Sequence, residues 1–306
     1  MTNKIQSLLI GAAVAALVTL PAKAADTSWV NGPTKSYDVK ALKLDGVVGT
    51  LKIEVKDGPA TLAISGLKQR VAGMKVHVEN GRLVVEGHYV DSVWDWSNWF
   101  DFSHLGENKP DQLIVHVSVP KGTSVKVDEL VGNAAIGDTQ GEMEFGATGN
   151  TQSTIGNVAK AHIELAGSGK VTLANVAGAL SAETAGSGDI HAGDATSVDG
   201  DIAGSGSIGV GHVAGAIKID IAGSGDFTAA SVNGPVDADI AGSGSVSIGN
   251  GEANPLHVDI MGSGNLSFGG TAVDPEVSAM GSGSVKIKAY RGKLSNSGMS
   301  NLKIGD

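Results

Sequence analysis

Six acidic residues stand three places before the first glycine of a recurring Gly-Ser-Gly triplet: Glu164, Glu183, Asp201, Asp220, Asp239 and Asp259. Glu144 takes the matching place in a degenerate upstream copy, and Ser278 ends the run. Each acid is flanked by positions expected to face inward, as Asp220 is by Ile219 and Ile221, so on a strand it points to solvent. If the copies stack in register, the carboxylates form a line at intervals of about 5 Å. Neighbouring charges at that distance repel by roughly 0.8 kcal/mol in water. Such a column serves either as a solubilising stripe that keeps a flat sheet face from pairing, or as a face for divalent cations. Ca²⁺, which takes several carboxylate and carbonyl oxygens, is the metal it would suit.

Two other residue groups invite chemistry. The triplet serines Ser168, Ser187, Ser205, Ser224, Ser243, Ser263 and Ser282 form a second column. No histidine recurs beside them to act as a base, so they are expected to satisfy one another and nearby backbone at a corner. Residues 89–102 read YVDSVWDWSNWFDF and hold six of the twelve aromatics. Trp94, Trp96, Trp99 and Phe100 would either cap one end of the array or contact a ligand or partner. His88 and His104 flank this segment and, with its aspartates, offer a further metal-ligand set. Gly167-Ser168-Gly169-Lys170 fails as a phosphate loop, because Val171 replaces the needed Ser or Thr and the upstream glycine is missing. The calcium-binding nonapeptide pattern also fails, since only one turn per copy is glycine-rich.

The element that positions these columns is the repeat itself. Triplets begin at Gly167, Gly186, Gly204, Gly223, Gly242, Gly262 and Gly281, in steps of 19, 18, 19, 19, 20 and 19 residues. A fixed period near twenty marks a stacked array. After each triplet come two aligned apolar columns: Val171, Ile190, Ile208, Phe227, Val246, Leu266, Val285, and then Leu173, Ala192, Val210, Ala229, Ile248, Phe268, Ile287. Like residues stacking in a narrow interior predict an all-β fold, a parallel β-solenoid of about 19-residue coils. Nine coils or so would make a rod of roughly 40 Å. A turn at 211–215 is expected between the two strands of the copy that spans 203–221.

Upstream, 37–127 alternates with period two, as in Leu51, Ile53, Val55 and Val115, Val117, Val119, and no segment there has a helical period. Asn80-Gly81 between two alternating runs predicts a tight hairpin. The expected divisions are a signal peptide at 1–24, cleaved between Ala24 and Ala25, a β-rich lead-in at 25–122 and the solenoid at 123–306. The apolar run 8–20 with Ala22-Lys23-Ala24 behind it carries the export expectation. Beyond it, no stretch is long and apolar enough to span a membrane.

The chain has no cysteine and a formal charge of −10. Between residues 161 and 260, twelve Asp or Glu face only Lys170 and Lys218, so the array carries nearly all of the excess. That field argues against nucleic acid as a partner. Glycine, 45 of 306 residues, is about twice its ordinary ~7% share, yet the aliphatics keep register, which argues for order.

The alternating lead-in, the Val119-Pro120-Lys121-Gly122 step and coils such as Gly186-Ser187-Gly188-Asp189-Ile190 and Gly223-Ser224-Gly225-Asp226-Phe227 resemble the bacterial auto-transporter adhesin head, or head GIN domain, family over about 35–300. The resemblance implies a solenoid similar to pectin-lyase-like folds but without their catalytic residues, and a role in adhesion. It offers no site residues to carry over, and the Trp-rich insert departs from it. The expectation is an exported, non-enzymatic protein of the periplasm or cell surface that binds an envelope glycan or a surface protein, its oligomeric state open. The alternatives are a polysaccharide-active enzyme, or a periplasmic scaffold for a protein partner. The arginines, Arg70, Arg82 and Arg291, gather no basic group beside the acids, which counts against the enzyme.

Overall fold

The computed structural model describes residues 28–87, 113–298 and 301–305. The expected signal peptide, its Ala24–Ala25 junction and the aromatic group Trp94, Trp96, Trp99 and Phe100 lie outside the described residues, as do His88 and His104. The chain winds as a succession of short strands into a parallel β-solenoid of about nine turns. Its strands pair with equivalents 18 to 20 residues away, for example Ile163 with Ala182, Ala182 with Gly200, and Gly200 with Ile219.

Each coil has three faces. The first carries an eight-residue strand such as Lys160–Gly167, Ala179–Gly186 or Ser197–Gly204. The second carries the short strand after the triplet, such as Lys170–Leu173. The third was not expected. Within the segment foreseen as a plain turn, Val213 is fully buried and bridges to Ala195, and Val158 bridges to Val176 in earlier coils. Val158, Val176, Ala195, Val213 and Val232 thus add a third inward column. Both foreseen apolar columns are buried, except that Ala192 is only partly so. Phe145, Phe227 and Phe268 are the largest side chains sealed in this interior, each stabilising it by roughly 1.5–3 kcal/mol.

The triplets make the corner between the first two faces, and their two glycines act differently. The first, at Gly167 through Gly281, has φ between +118° and +133°, where L side chains are strained. The second is crowded from inside. A Cβ on Gly225 would lie 2.4 Å from Ile202 Cγ2, and one on Gly244 would lie 2.7 Å from Ile221 Cγ2. The serine between them is exposed, and its N–H donates to the preceding coil's glycine carbonyl, as from Ser187 to Gly167 O at 2.8 Å. One hydroxyl pair closes along the serine column, Ser205 with Ser224 at 3.1 Å.

A ladder unforeseen from sequence runs along the corner between the second and third faces. Asp138 Oδ1 accepts from Asn157 N, Asn157 Oδ1 from Asn175 N, Asn175 Oδ1 from Asp194 N, and Asp194 Oδ1 from His212 N, at 2.7–3.1 Å. Each side chain satisfies the backbone donor of the next coil where the regular strand pairing lapses.

Parallel stacking begins well upstream of residue 123. Ala41–Asp45 lies between Arg82–Glu86 and the start of Ser124–Ile136, parallel to both. Val48–Val55 lies likewise between Leu113–Val119 and the end of Ser124–Ile136. Spatial order therefore departs from chain order, since the segments on the outer side of the 41–55 coil come later in the chain. Beyond them the array ends in antiparallel strands. Ala60–Leu67 pairs with Leu113–Val119, and Lys75–Glu79 forms a hairpin with Arg82–Glu86. Asn80 and Gly81 both have positive φ, 50° and 74°, as the predicted tight turn requires. A six-residue helix, Lys68–Gly73, links these strands and is the one helix among the described residues, too short to show as a period. No helix there is long and apolar enough to cross a membrane.

Candidate functional site: an acidic groove along the rod

Period-two alternation on the first face turns Ile163 and Leu165 inward and leaves Glu164 outside. Register then does the rest. Glu164 pairs with Glu183, Glu183 with Asp201, Asp201 with Asp220, Asp220 with Asp239, and Asp239 with Asp259, before Ser278 ends the line. The structure brings all six predicted acids into one column. Glu144 does not join it. Gly149 pairs with Gly167, so the place opposite Glu164 belongs to Gly146, and Glu144 sits opposite His162. The alignment expected for the degenerate triplet is two residues out of step. Glu144 is instead held by Lys126, whose hydrogen bond keeps its carboxyl below the usual range.

Two further outward columns flank the acids. Two residues earlier stand His162, Ser181, Asp199, Lys218, Asp237 and His257. Two residues later stand Ala166, Ala185, Ala203, Ala222 and Ala241, then Met261 and Met280, which are 59% and 71% exposed. Because alanine rises little above the sheet, the acids and this shallow stripe border a long open groove of about 880 Å³. The groove follows the rod axis, with Glu129 and Gly146 at one end and Ser278 and Met280 at the other.

Charge in the groove is poorly compensated. Lys218 Nζ holds Asp220 at 2.6 Å, and His257 Nε2 lies 3.2 Å from Asp259. Partial burial, followed by the charges of Asp220 and Asp199, pushes the Asp201 carboxyl up from its usual value. The Asp239 carboxyl is pushed up by burial first, then by Asp237, Asp220 and Asp259. Asp237 Oδ1 is shut away from solvent without a protein hydrogen-bond partner among the described residues. A surface that leaves charges crowded and underpaired favours an incoming cation. Sequence alignment locates the acid column, whereas the alanine stripe becomes meaningful only once register sets it beside the acids.

The fold and this groove define the class: a repetitive β-solenoid with one continuous acidic groove along its side. The chain belongs to the family described as "Putative auto-transporter adhesin, head GIN domain", whose family model matches residues 43–251. No curated protein matches it. Among solved structures, it is similar to a protein from Parabacteroides distasonis described as a putative lipid binding protein, with 21% identity, TM-score 0.51, and coverage of 86% of this chain and 97% of that one. A putative adhesin from the same organism shares 18% identity at TM-score 0.42 over 89% and 98% of the two chains. A putative adhesin from Parabacteroides merdae shares 17% at TM-score 0.40 over 88% and 95%. The first of these, at 21% identity, shows the fold alone.

Proposed function

We propose that the protein is an exported, non-catalytic adhesion protein of the cell envelope, and that its acidic groove grips an amine-bearing envelope glycan. The observation that carries this is the in-register column from Glu164 to Asp259 beside the flat alanine stripe. One carboxylate per coil suits a linear ligand with recurring positive groups lying along the rod. The alanines leave room for its sugar rings. The one lysine in the flanking column, Lys218, is occupied by Asp220, and the acids repeat without a break in pattern. Both features support binding over bond cleavage, which needs a unique group of catalytic residues. Family membership supports the adhesive role, and the acidic field supports a cationic target.

The test compares retention of a glucosamine polymer and its fully N-acetylated counterpart on immobilised protein. Wild type should hold the amine form, release it at high salt and ignore the acetylated form. Asp201→Asn/Asp220→Asn/Asp239→Asn should hold neither. Equal retention of both polymers, or an unaffected triple variant, refutes the groove as the contact. A Trp94→Ala/Trp96→Ala/Trp99→Ala variant belongs beside it. Lost retention there would move the contact to the aromatic segment.

A further inference from the structure

At one end of the groove, the flanking column places an imidazole among the acids. His162 Nε2 lies 2.8 Å from Glu164 Oε1, and its Nδ1 lies 3.0 Å from Ser181 Oγ. The ligating atoms of His162, Glu164 and Glu183 all lie within 4.8 Å of one another, the one such group among the described residues. We propose that these three side chains form a binding site for a borderline divalent transition metal such as Zn²⁺. This goes beyond the glycan-binding groove and does not depend on it.

The arrangement has the parts such a site needs. Imidazole with carboxylates is a donor set for Zn²⁺ more than for Ca²⁺, which prefers an all-oxygen shell. Glu164 and Glu183 are direct partners across a parallel ladder, where like charges repel and a shared cation removes the repulsion. Glu183 has no ion-pair partner among the described residues. Ser181 occupies the place opposite His162 and holds its ring. A hydroxyl both donates and accepts. In the Nε2–H tautomer, Nε2–H donates to Glu164 and Nδ1 accepts from Ser181. With metal on Nε2, the ring proton moves to Nδ1 and is donated to Ser181 Oγ, the outer contact that orients metal-binding histidines. Three protein ligands leave a fourth position open. Space exists for it on the side of Gly146, which faces Glu164 across the ladder without a side chain. A Cβ there would make only ordinary contacts, at 3.6 Å and beyond, so packing does not dictate that gap. His257 forms no second such site. Its two nitrogens address Asp259 and Glu276 on different strands, and no third ligand converges among the described residues.

The experiment titrates the full mature chain with Zn²⁺ alone and, separately, with Ca²⁺ alone, by calorimetry. The expected result is one Zn²⁺ per chain. His162→Gln and Glu183→Gln should each weaken it at least tenfold. Ser181→Ala should weaken it about tenfold, as loss of an orienting partner does. His257→Gln and Asp220→Asn/Asp239→Asn should bind Zn²⁺ as wild type does, so failure of the groove hypothesis would leave this result standing. Ca²⁺ binding should not respond to His162→Gln. Thermal unfolding in chelator checks that the variants fold like wild type. Absence of saturable Zn²⁺ binding, or wild-type affinity in a folded His162→Gln variant, overturns the site.

Discussion

Replacing Asp239 by asparagine should make the protein more stable. Asp239 stands between Asp220 and Asp259, one strand spacing of about 4.8 Å from each. Each neighbour repels it by about 0.9 kcal/mol in water, so the pair contributes about 1.7 kcal/mol against the folded state. No hydrogen bond or ion pair of the Asp239 carboxylate offsets this among the described residues. With a screening length of about 30 Å in 10 mM salt, about 1.5 kcal/mol survives, whereas at 1 M, where the length is about 3 Å, about 0.3 kcal/mol does. The unfolded chain retains some repulsion and the side chains splay, so a gain of about 1 kcal/mol at low salt is expected. That is about 2–4 °C in Tm. Asp239 is also pushed above its usual carboxylate value of 3.8, so its charged form costs stability at every pH above its folded value. That cost vanishes as pH falls through the folded value toward 3.8, where the variant and wild type should converge. Thermal melts followed by circular dichroism at two salt concentrations and a series of pH values provide the assay. A destabilised variant, or a gain indifferent to salt, would refute the electrostatic account of the column.

Other consequences can be measured on the same protein. Gly223→Ala places a Cβ at φ +132°, 2.3 Å from the Gly204 carbonyl oxygen, and should destabilise by about 1–3 kcal/mol in denaturant melts. Asn175→Ala leaves the Asp194 N–H without its acceptor and should cost about 1 kcal/mol, visible as faster amide exchange at Asp194. Millimolar Ca²⁺ should raise Tm above a Na⁺ control of matched ionic strength if the acid column acts as a cation face, and an unchanged Tm removes that role. Lys52 and Lys56 hold the Glu54 carboxyl down to about 2, so Glu54 adds stability above its usual 4.5 that is lost as pH falls toward 2. Lys52→Ala/Lys56→Ala should flatten the acid limb of the Tm–pH curve in that window.

Much of the fold and the acid column is legible because the repeat is strict. When each copy has one triplet, counting back three residues from its first glycine fixes which acids align, and alternation fixes which way they point. Counting fails where the marker degenerates. Ala147-Thr148-Gly149 contains one glycine, and the residue needing positive φ is Gly149, at 88°, so a frame anchored on Ala147 puts Glu144 where Gly146 stands. The third face is hidden for a different reason. It carries one inward residue per coil, such as Val176 or Val213, too few to establish a period. The side-chain ladder is hidden because Asp138, Asn157, Asn175 and Asp194 share a role while differing in type. His162 gives no signal of its own either, since its meaning depends on Ser181 and Glu183 arriving from the next coil.

The stacking order near the start of the array bears on how the molecule is made. Residues 41–55 leave the ribosome before all of their flanking neighbours, 82–86 and 113–119 on one side and 124–136 on the other. That layer must wait unpartnered until the chain returns on either side of it. From residue 142 onward, each new coil meets a finished edge and adds to it in order of synthesis. Closing the three-layer start is therefore expected to be the slow, long-range step, with the later coils growing on it as on a template. The part of the chain with the least regular sequence decides when the regular part begins to assemble.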